Sequence, residues 1–330
     1  MKIRIISRNE VKKAVKMVEA IKAVKEAYIQ LSAGQAIVPL RSHIAIKEQE
    51  AVSLFMPAYL AQSQSLGVKI VSVFPKNKEK KLPTILATVI ALSAESGQPL
   101  AVIEGSYLTA LRTGAASGVA TELLARKEAR VAAFFGAGAQ TRTQIEAVLS
   151  VRPIRKIWIF DIEREKAEEL AEELRKSTIT SQIEVQIVTS PSEAVQEADI
   201  ICTATTSFRP VFDDVSLKPG VHINGIGSYT PQMQEIPAET VVRAKVVVDS
   251  FQACLAEAGD LLIPIEKGIL RKGDIYGEIG QIAAGKLPGR QSDKEITFFK
   301  SVGIAVQDVA VAELVLSQSQ TLGLGVEVDI

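Results

Sequence analysis

Apolar residues recur along this chain with two different periods. After a short predicted strand at 2–6, Val11, Val15, Val18, Ile21, Val24, Tyr28 and Leu31 follow at steps of three and four. That spacing leaves one apolar face and predicts a helix over 11–31, stopped by Gly34. Five strand-like runs come next, at 41–46, 51–56, 66–74, 84–92 and 100–104. Asn77 with its lysine run and Ser96-Gly97 mark turns, and 76–83 reads as an exposed loop.

From Thr109 to about Ala125 the chain becomes an alanine-rich helix. Beyond it, strands at 131–135, 156–160, 184–188 and 200–203 alternate with helices at 141–149, 163–174 and 192–197, and further strands follow at 221–224 and 245–249. Short buried strands alternating with amphipathic helices predict a parallel sheet covered on both faces. A last strand at 297–299 precedes an apolar helix at 304–316, placed to return to the first domain. The fold class expected is therefore α/β: a Rossmann-type, doubly wound parallel sheet over 116–303, plus a discontinuous α+β domain built from 1–115 and 304–330.

The 330 residues exceed what one core usually accommodates, which agrees with two domains. Lys plus Arg and Asp plus Glu are both 38, so no net field favours a nucleic acid or an anionic membrane. No apolar run approaches the ~20 residues of a membrane span, and the polar start at 1–13 lacks a signal-peptide core, so a cytoplasmic protein is expected. Cys202 and Cys254 read as buried free thiols.

The segment RVAAFFGAGAQTRTQIEAVL sets Gly136, Gly138 and Thr141 between a strand and a helix. Gly136 permits a tight turn. Gly138 lets the backbone approach a pyrophosphate, whose charge would face the N–H groups of a helix starting near Gln140. Thr141 replaces the third glycine of the usual fingerprint, which calls for looser packing or a hydroxyl contact. Asp161 closes the next strand, where a carboxylate accepts hydrogen bonds from an adenosine ribose. NAD(H) is the cofactor expected, with Arg164 and Lys166 leaving NADP(H) open.

Three basic residues sit in uncharged surroundings: Arg41 in IVPLRSHIAI, Lys69 in LGVKIVSVF and Arg112 in SYLTALRTGAASGVA. A lysine between Val68 and Ile70 is costly to bury unless it meets an anion. Together the three form a clamp for a substrate carboxylate, two guanidinium forks and a point charge. His222, in VHINGIG, reads as a core histidine, and His43 is a weaker acid–base candidate. Two distant histidines make no metal site.

These segments resemble the ornithine cyclodeaminase and mu-crystallin family over nearly the whole chain. The likeness rests on MPAYL, LGVKIVSVFP, EGSYLTALRTGAASGVAT, FFGAGAQTRTQ, ADIICTATTS, HINGIGSYTPQMQE and FKSVGIAVQD; LRTGAASG followed by GAGAQ is its most specific pairing. The resemblance implies a homodimer joined through the non-Rossmann domain. It puts Arg41, Lys69 and Arg112 at the substrate, Thr113, Gly138, Ala139, Gln140 and Asp161 at the cofactor, and Val302 and Gly303 near the nicotinamide. Cyclodeaminases carry an aspartate where this chain has Tyr229, and a glutamate where it has Leu54. Without those proton-transfer carboxylates, deamination of ornithine is disfavoured. Reduction of a cyclic imino acid, 1-pyrroline-2-carboxylate or its six-membered homologue, asks less of the protein. Lys69 is then the expected proton donor, with Tyr229, also expected at the substrate, or a bound water as weaker candidates. Alanine dehydrogenase is the nearest alternative, followed by the cyclodeaminase and by a non-catalytic cofactor binder of the mu-crystallin kind.

Overall fold

The computed structural model describes residues 1–330. The chain divides into two compact units, Met1–Arg112 with Ile304–Ile330, and Thr113–Gly303. In the first unit β1 (Lys2–Ile6) leads into α1 (Arg8–Ala14) and α2 (Met17–Ser32). The single helix expected over 11–31 is thus two helices, because Val15 and Lys16 are extended. Val15 and Met17 are both buried while Val18 is exposed. In one continuous helix Val15 and Met17 would lie on opposite faces, so the break lets both reach the core.

Strands β2 (Ala36–Ile37), β3 (Ser42–Ile46), β4 (Ala51–Leu60), β5 (Ser65–Val73), β6 (Ile85–Ser93) and β7 (Pro99–Glu104) follow. They form one sheet with β1 and the C-terminal β16 (Val326–Asp329), in the order β16-β1-β7-β6-β5-β4-β2, with β3 also on β4. Strand β16, unforeseen from the sequence, pairs antiparallel with β1. From β3 to β7 each neighbouring pair is antiparallel, and its register sets Met56, Lys69, Val89 and Ile103 in one row across the sheet. Those four are buried. The next row, Pro57, Val68, Ile90 and Val102, faces the other way and is half-buried. The inner face is covered by α11 (Ala305–Leu322), which lies across β4, β5 and β6. Gly67 makes that approach possible: a Cβ there would come within 2.7 Å of Ile90 O and 3.4 Å of Val309 Cγ2.

The unit boundary falls within α3 (Gly105–Leu124). The second unit continues with β8 (Val131–Phe135), α4 (Ala139–Val151), β9 (Lys156–Phe160), α5 (Arg164–Lys176), β10 (Glu184–Ile187), α6 (Pro191–Glu197) and β11 (Ile200–Thr203). Then come β12 (His222–Gly225), α7 (Ala238–Arg243), β13 (Lys245–Val248), α8 (Phe251–Glu257), α9 (Gly259–Glu266), β14 (Gly277–Glu278), α10 (Ile279–Ala283) and β15 (Thr297–Lys300). Its eight strands are all parallel, in the order β10-β9-β8-β11-β12-β15-β13-β14. Alternate residues feed two cores, Phe135, Ile201, Ile223 and Phe298 on one face, Phe134, Ile159, Ile200 and Cys202 on the other. This explains why these strands read as unbroken apolar runs. The chain moves outward from β8 to β10 and then returns to the other side of β8 at β11. The carboxyl ends of β8 and β11 therefore form a topological switch point, the usual place for a ligand in such a sheet.

Candidate active site

Lys69 points from the inner face of β5 and is 1% exposed. The anion that its burial demands is Asp308 on α11, absent from the expected clamp: Lys69 Nζ lies 2.8 Å from Asp308 Oδ2. Arg112, near the middle of α3, reaches the same carboxylate, with Nε 2.9 Å from Asp308 Oδ1. Arg112 Nη1 also donates to Gln307 Oε1 at 2.6 Å, and Gln307 Nε2 donates to the Tyr28 hydroxyl. Asp308, Gln307 and Tyr28 are all fully buried.

Two cations here share one carboxylate. Burial, first of all, together with the charges of Arg112 and, less, of Arg41, lowers the pKa of Lys69 to about 7, against the upward pull of Asp308. Arg41 thus acts on Lys69 through its field, from just before β3. His43 shares the inner-facing parity with Leu54 and is exposed. Two buried basic groups, Lys69 and Arg112, thus face the single carboxylate of Asp308.

In the second unit the glycine turn follows β8. Gly136 has φ of 90°, a conformation that a side chain would strain, and its N–H donates to Phe160 O at 2.9 Å. Gly138 is the N-cap of α4, has no side chain to satisfy the first helical N–H groups, and a Cβ on it would meet nothing within 4 Å. The Thr141 hydroxyl donates to Gly136 O at 2.6 Å, so the departure from three glycines is absorbed by a hydroxyl contact. Ala139 and Gln140 open α4, and Gln140 Oε1 is buried without a hydrogen-bond partner. Asp161 accepts from the Ala137 N–H at 2.6 Å through Oδ2 and from the Glu163 N–H at 2.8 Å through Oδ1. It therefore braces the turn and opens the next loop. Beside it is a recess of about 240 Å³ lined by Asp161, Ile162, Arg164, Ile187 and Val188. Open space at Gly138, uncapped N–H groups, an orphan acceptor and a carboxylate at the strand end fit a dinucleotide.

Thr113 is buried in α3, and at Gly114 a Cβ would be 2.5 Å from Thr143 O, so α3 and α4 pack closely through that glycine. Val302 and Gly303 follow β15. Their N–H groups donate to Asp249 Oδ2 at 3.0 and 2.9 Å, and Gly303 has φ of 78°. Tyr229 lies after β12, 41% exposed, and burial of the rest of the ring raises its pKa. His222 bridges Thr297 Oγ1 at 2.9 Å and Asn224 Oδ1 at 3.1 Å; burial lowers its pKa to about 3, which keeps it neutral in the core. Cys202 and Cys254 are buried free thiols. No group of three or more His, Cys, Asp and Glu is placed to hold a metal ion, and no helix is long and apolar enough to cross a membrane.

The model of the ornithine cyclodeaminase/mu-crystallin family matches residues 1–321. Delta(1)-pyrroline-2-carboxylate reductase of Bacillus cereus is 40% identical over 326 residues, 98% of this chain and 99% of the relative. Among solved structures, that of Thermococcus litoralis Delta(1)-pyrroline-2-carboxylate reductase in complex with NADH and L-proline superposes with a TM-score of 0.94 at 40% identity, covering 99% of this chain and 100% of that one. An archaeal alanine dehydrogenase dimer with bound NAD gives 0.93 at 34% identity, covering 100% of both chains.

Proposed function

The chain belongs to the ornithine cyclodeaminase/mu-crystallin family, and from that premise we propose that it is an NAD(P)-dependent oxidoreductase acting on carbon–nitrogen bonds. Its reaction is the NADH-dependent reduction of a small cyclic imino acid, 1-pyrroline-2-carboxylate to proline, with the six-membered homologue as a further substrate. The single observation that carries this reading is the buried Lys69–Arg112 pair sharing one carboxylate. A substrate carboxylate completes its charge balance, with Arg112 and Arg41 as the directional partners. The bound dinucleotide supplies the hydride that C2 accepts. Lys69 Nζ supplies the proton that the ring nitrogen takes up, and a pKa near neutrality suits a donor that must be recharged between turnovers. Leu54 and Tyr229, where cyclodeaminases have carboxylates, leave no second acid–base pair for expelling ammonia.

In the cofactor role, Gly136, Gly138, Ala139 and Gln140 cradle the pyrophosphate, Asp161 accepts from the ribose hydroxyls, and Thr113, Val302 and Gly303 serve the nicotinamide end. The exposed apolar side chain of Ile162, at the rim of the recess, suits a flat adenine ring. Asp161 opposes a 2′-phosphate, so NADH is preferred to NADPH, while Arg164 in the same recess leaves NADPH usable. The chain works as a homodimer formed through the outer face of the first unit's sheet.

The test is a substrate panel in which NADH consumption is followed with the five- and six-membered cyclic imino acids, and with pyruvate plus ammonium. Turnover of a cyclic imino acid is expected, and none with either ring would sink the proposal. Ammonium-dependent turnover of pyruvate alone would select the alanine dehydrogenase reading, which the likeness to that enzyme keeps in view.

A further inference from the structure

Behind the glycine turn lies a set of buried charges to which the chemistry above assigns no task. Glu235, Asp260 and Lys300 are each 0% exposed. Lys300 Nζ is 3.0 Å from Asp260 Oδ2, and Asp260 Oδ1 accepts from the N–H groups of Glu235 at 2.7 Å and Ile236 at 3.0 Å. Glu235 is thereby held with its carboxyl group under the loops that leave β11 and β12. Its Oε1 accepts from the Thr205 N–H at 2.6 Å and the Thr205 hydroxyl at 2.8 Å. Its Oε2 accepts from the Thr203 hydroxyl at 2.8 Å and the Gly227 N–H at 2.7 Å. The Thr205 loop in turn seats the glycine turn, since a Cβ on Gly136 would meet Ala204 O at 2.8 Å and Thr205 Cγ2 at 3.2 Å.

We infer that Glu235 is a positioning residue for the dinucleotide: its carboxyl group fixes the Thr205 loop against which the Gly136 turn is set. The role requires a carboxyl group in particular. Each of its oxygens receives a backbone N–H, which donates and cannot accept. Whichever way a glutamine turned, its NH2 would face one of those two N–H groups, donor against donor, leaving that N–H without an acceptor and pushing its loop away. Shape alone would be preserved.

The inference rests on the dinucleotide reading, so the experiment begins with NADH binding to the wild-type protein, titrated by fluorescence. Absence of binding there would refute the functional reading itself. Given binding, Glu235→Gln is expected to raise the Kd and KM for NADH about ten-fold. Its kcat at saturating NADH should stay within about three-fold of wild type, because the positioning acts on the bound cofactor and not on the reacting atoms. A thermal melt run alongside separates a brace from a positioning residue. A lowered Tm with an unchanged Kd would overturn the inference. Should Glu235→Gln fail to fold, Thr203→Val removes one donor to Oε2 on a buried residue at the end of β11. It is expected to weaken NADH binding about three-fold, and an unchanged Kd there would overturn the inference equally.

Discussion

Lys69 is the proton donor in the proposed reaction, and its environment sets a sign that can be measured. Burial, with Arg112 and Arg41 adding to it, lowers its pKa to about 7, against the upward pull of Asp308. As proton donor it works in the charged form, which predominates below that pH. The kcat/KM for reduction should therefore decline as pH rises through about 7, and oxidation of the amino acid should gain over the same interval. A reduction rate that climbs through that interval would show that another group gives the proton. Lys69→Met should lower kcat by ~100-fold while NADH binds as before, as a stopped-flow and fluorescence comparison would reveal. At this scale the sequence was informative where chemistry and surroundings clashed. A lysine inside LGVKIVSVF and an arginine inside SYLTALRTGAASG are anomalies that only an anion resolves. Their first partner is not evident from the sequence, because Asp308 lies at the far end of the chain, in a helix that reads simply as apolar.

Elements show the same division. Seven of the eight parallel strands are legible within a residue or two, most of them because burial on both faces makes a short apolar run; β14, two residues long, is not. Helices α7 to α10, each of eight residues or fewer, have no room to display a period, and β16 is a strand of only four residues. In the late segment FKSVGIAVQD the resemblance points to Val302 and Gly303, yet its last two residues, Gln307 and Asp308, are the ones that reach Arg112. The element that supplies the counter-charge to Lys69 and Arg112 is therefore α11, whose approach to β5 the absence of a side chain at Gly67 permits. Asp308→Asn removes the only carboxylate that an ion pair gives to Lys69 and Arg112. Because it strips a counter-charge from buried cations, the expected cost in stability is about 3–5 kcal/mol, read from chemical denaturation. The descending limb of the reduction profile should also move to lower pH, because Asp308 is what holds the Lys69 pKa up. Unchanged stability with an unchanged limb would mean that the ion pair does not form in solution.

At the scale of the molecule, the first unit's sheet carries an anomaly that its sequence announced without explaining. An antiparallel sheet with one covered face ordinarily alternates apolar with polar residues, the polar ones facing water. Here β4, β5 and β6 are apolar in both parities. The inner row of Met56, Lys69, Val89 and Ile103 is buried, and the outer rows run Phe55 to Ile70, Pro57 to Val68 to Ile90 to Val102, and Tyr59 to Leu66 to Leu92. All of these outer residues are half-buried, and Leu86 beside them is 50% exposed. A contiguous apolar face of this kind is expected to be covered by a partner. A second copy of the same sheet is the simplest cover, because a twofold arrangement lets one patch satisfy itself. Ile70 stands on the middle strand of the face, its own side chain turned away from Lys69. Ile70→Glu should convert a dimer to a monomer in light scattering while leaving the circular dichroism of the fold intact, since repulsion between two buried carboxylates across a twofold axis adds to the lost apolar contact. A wild-type protein that is monomeric at every concentration, or a variant that stays dimeric, would place the association elsewhere.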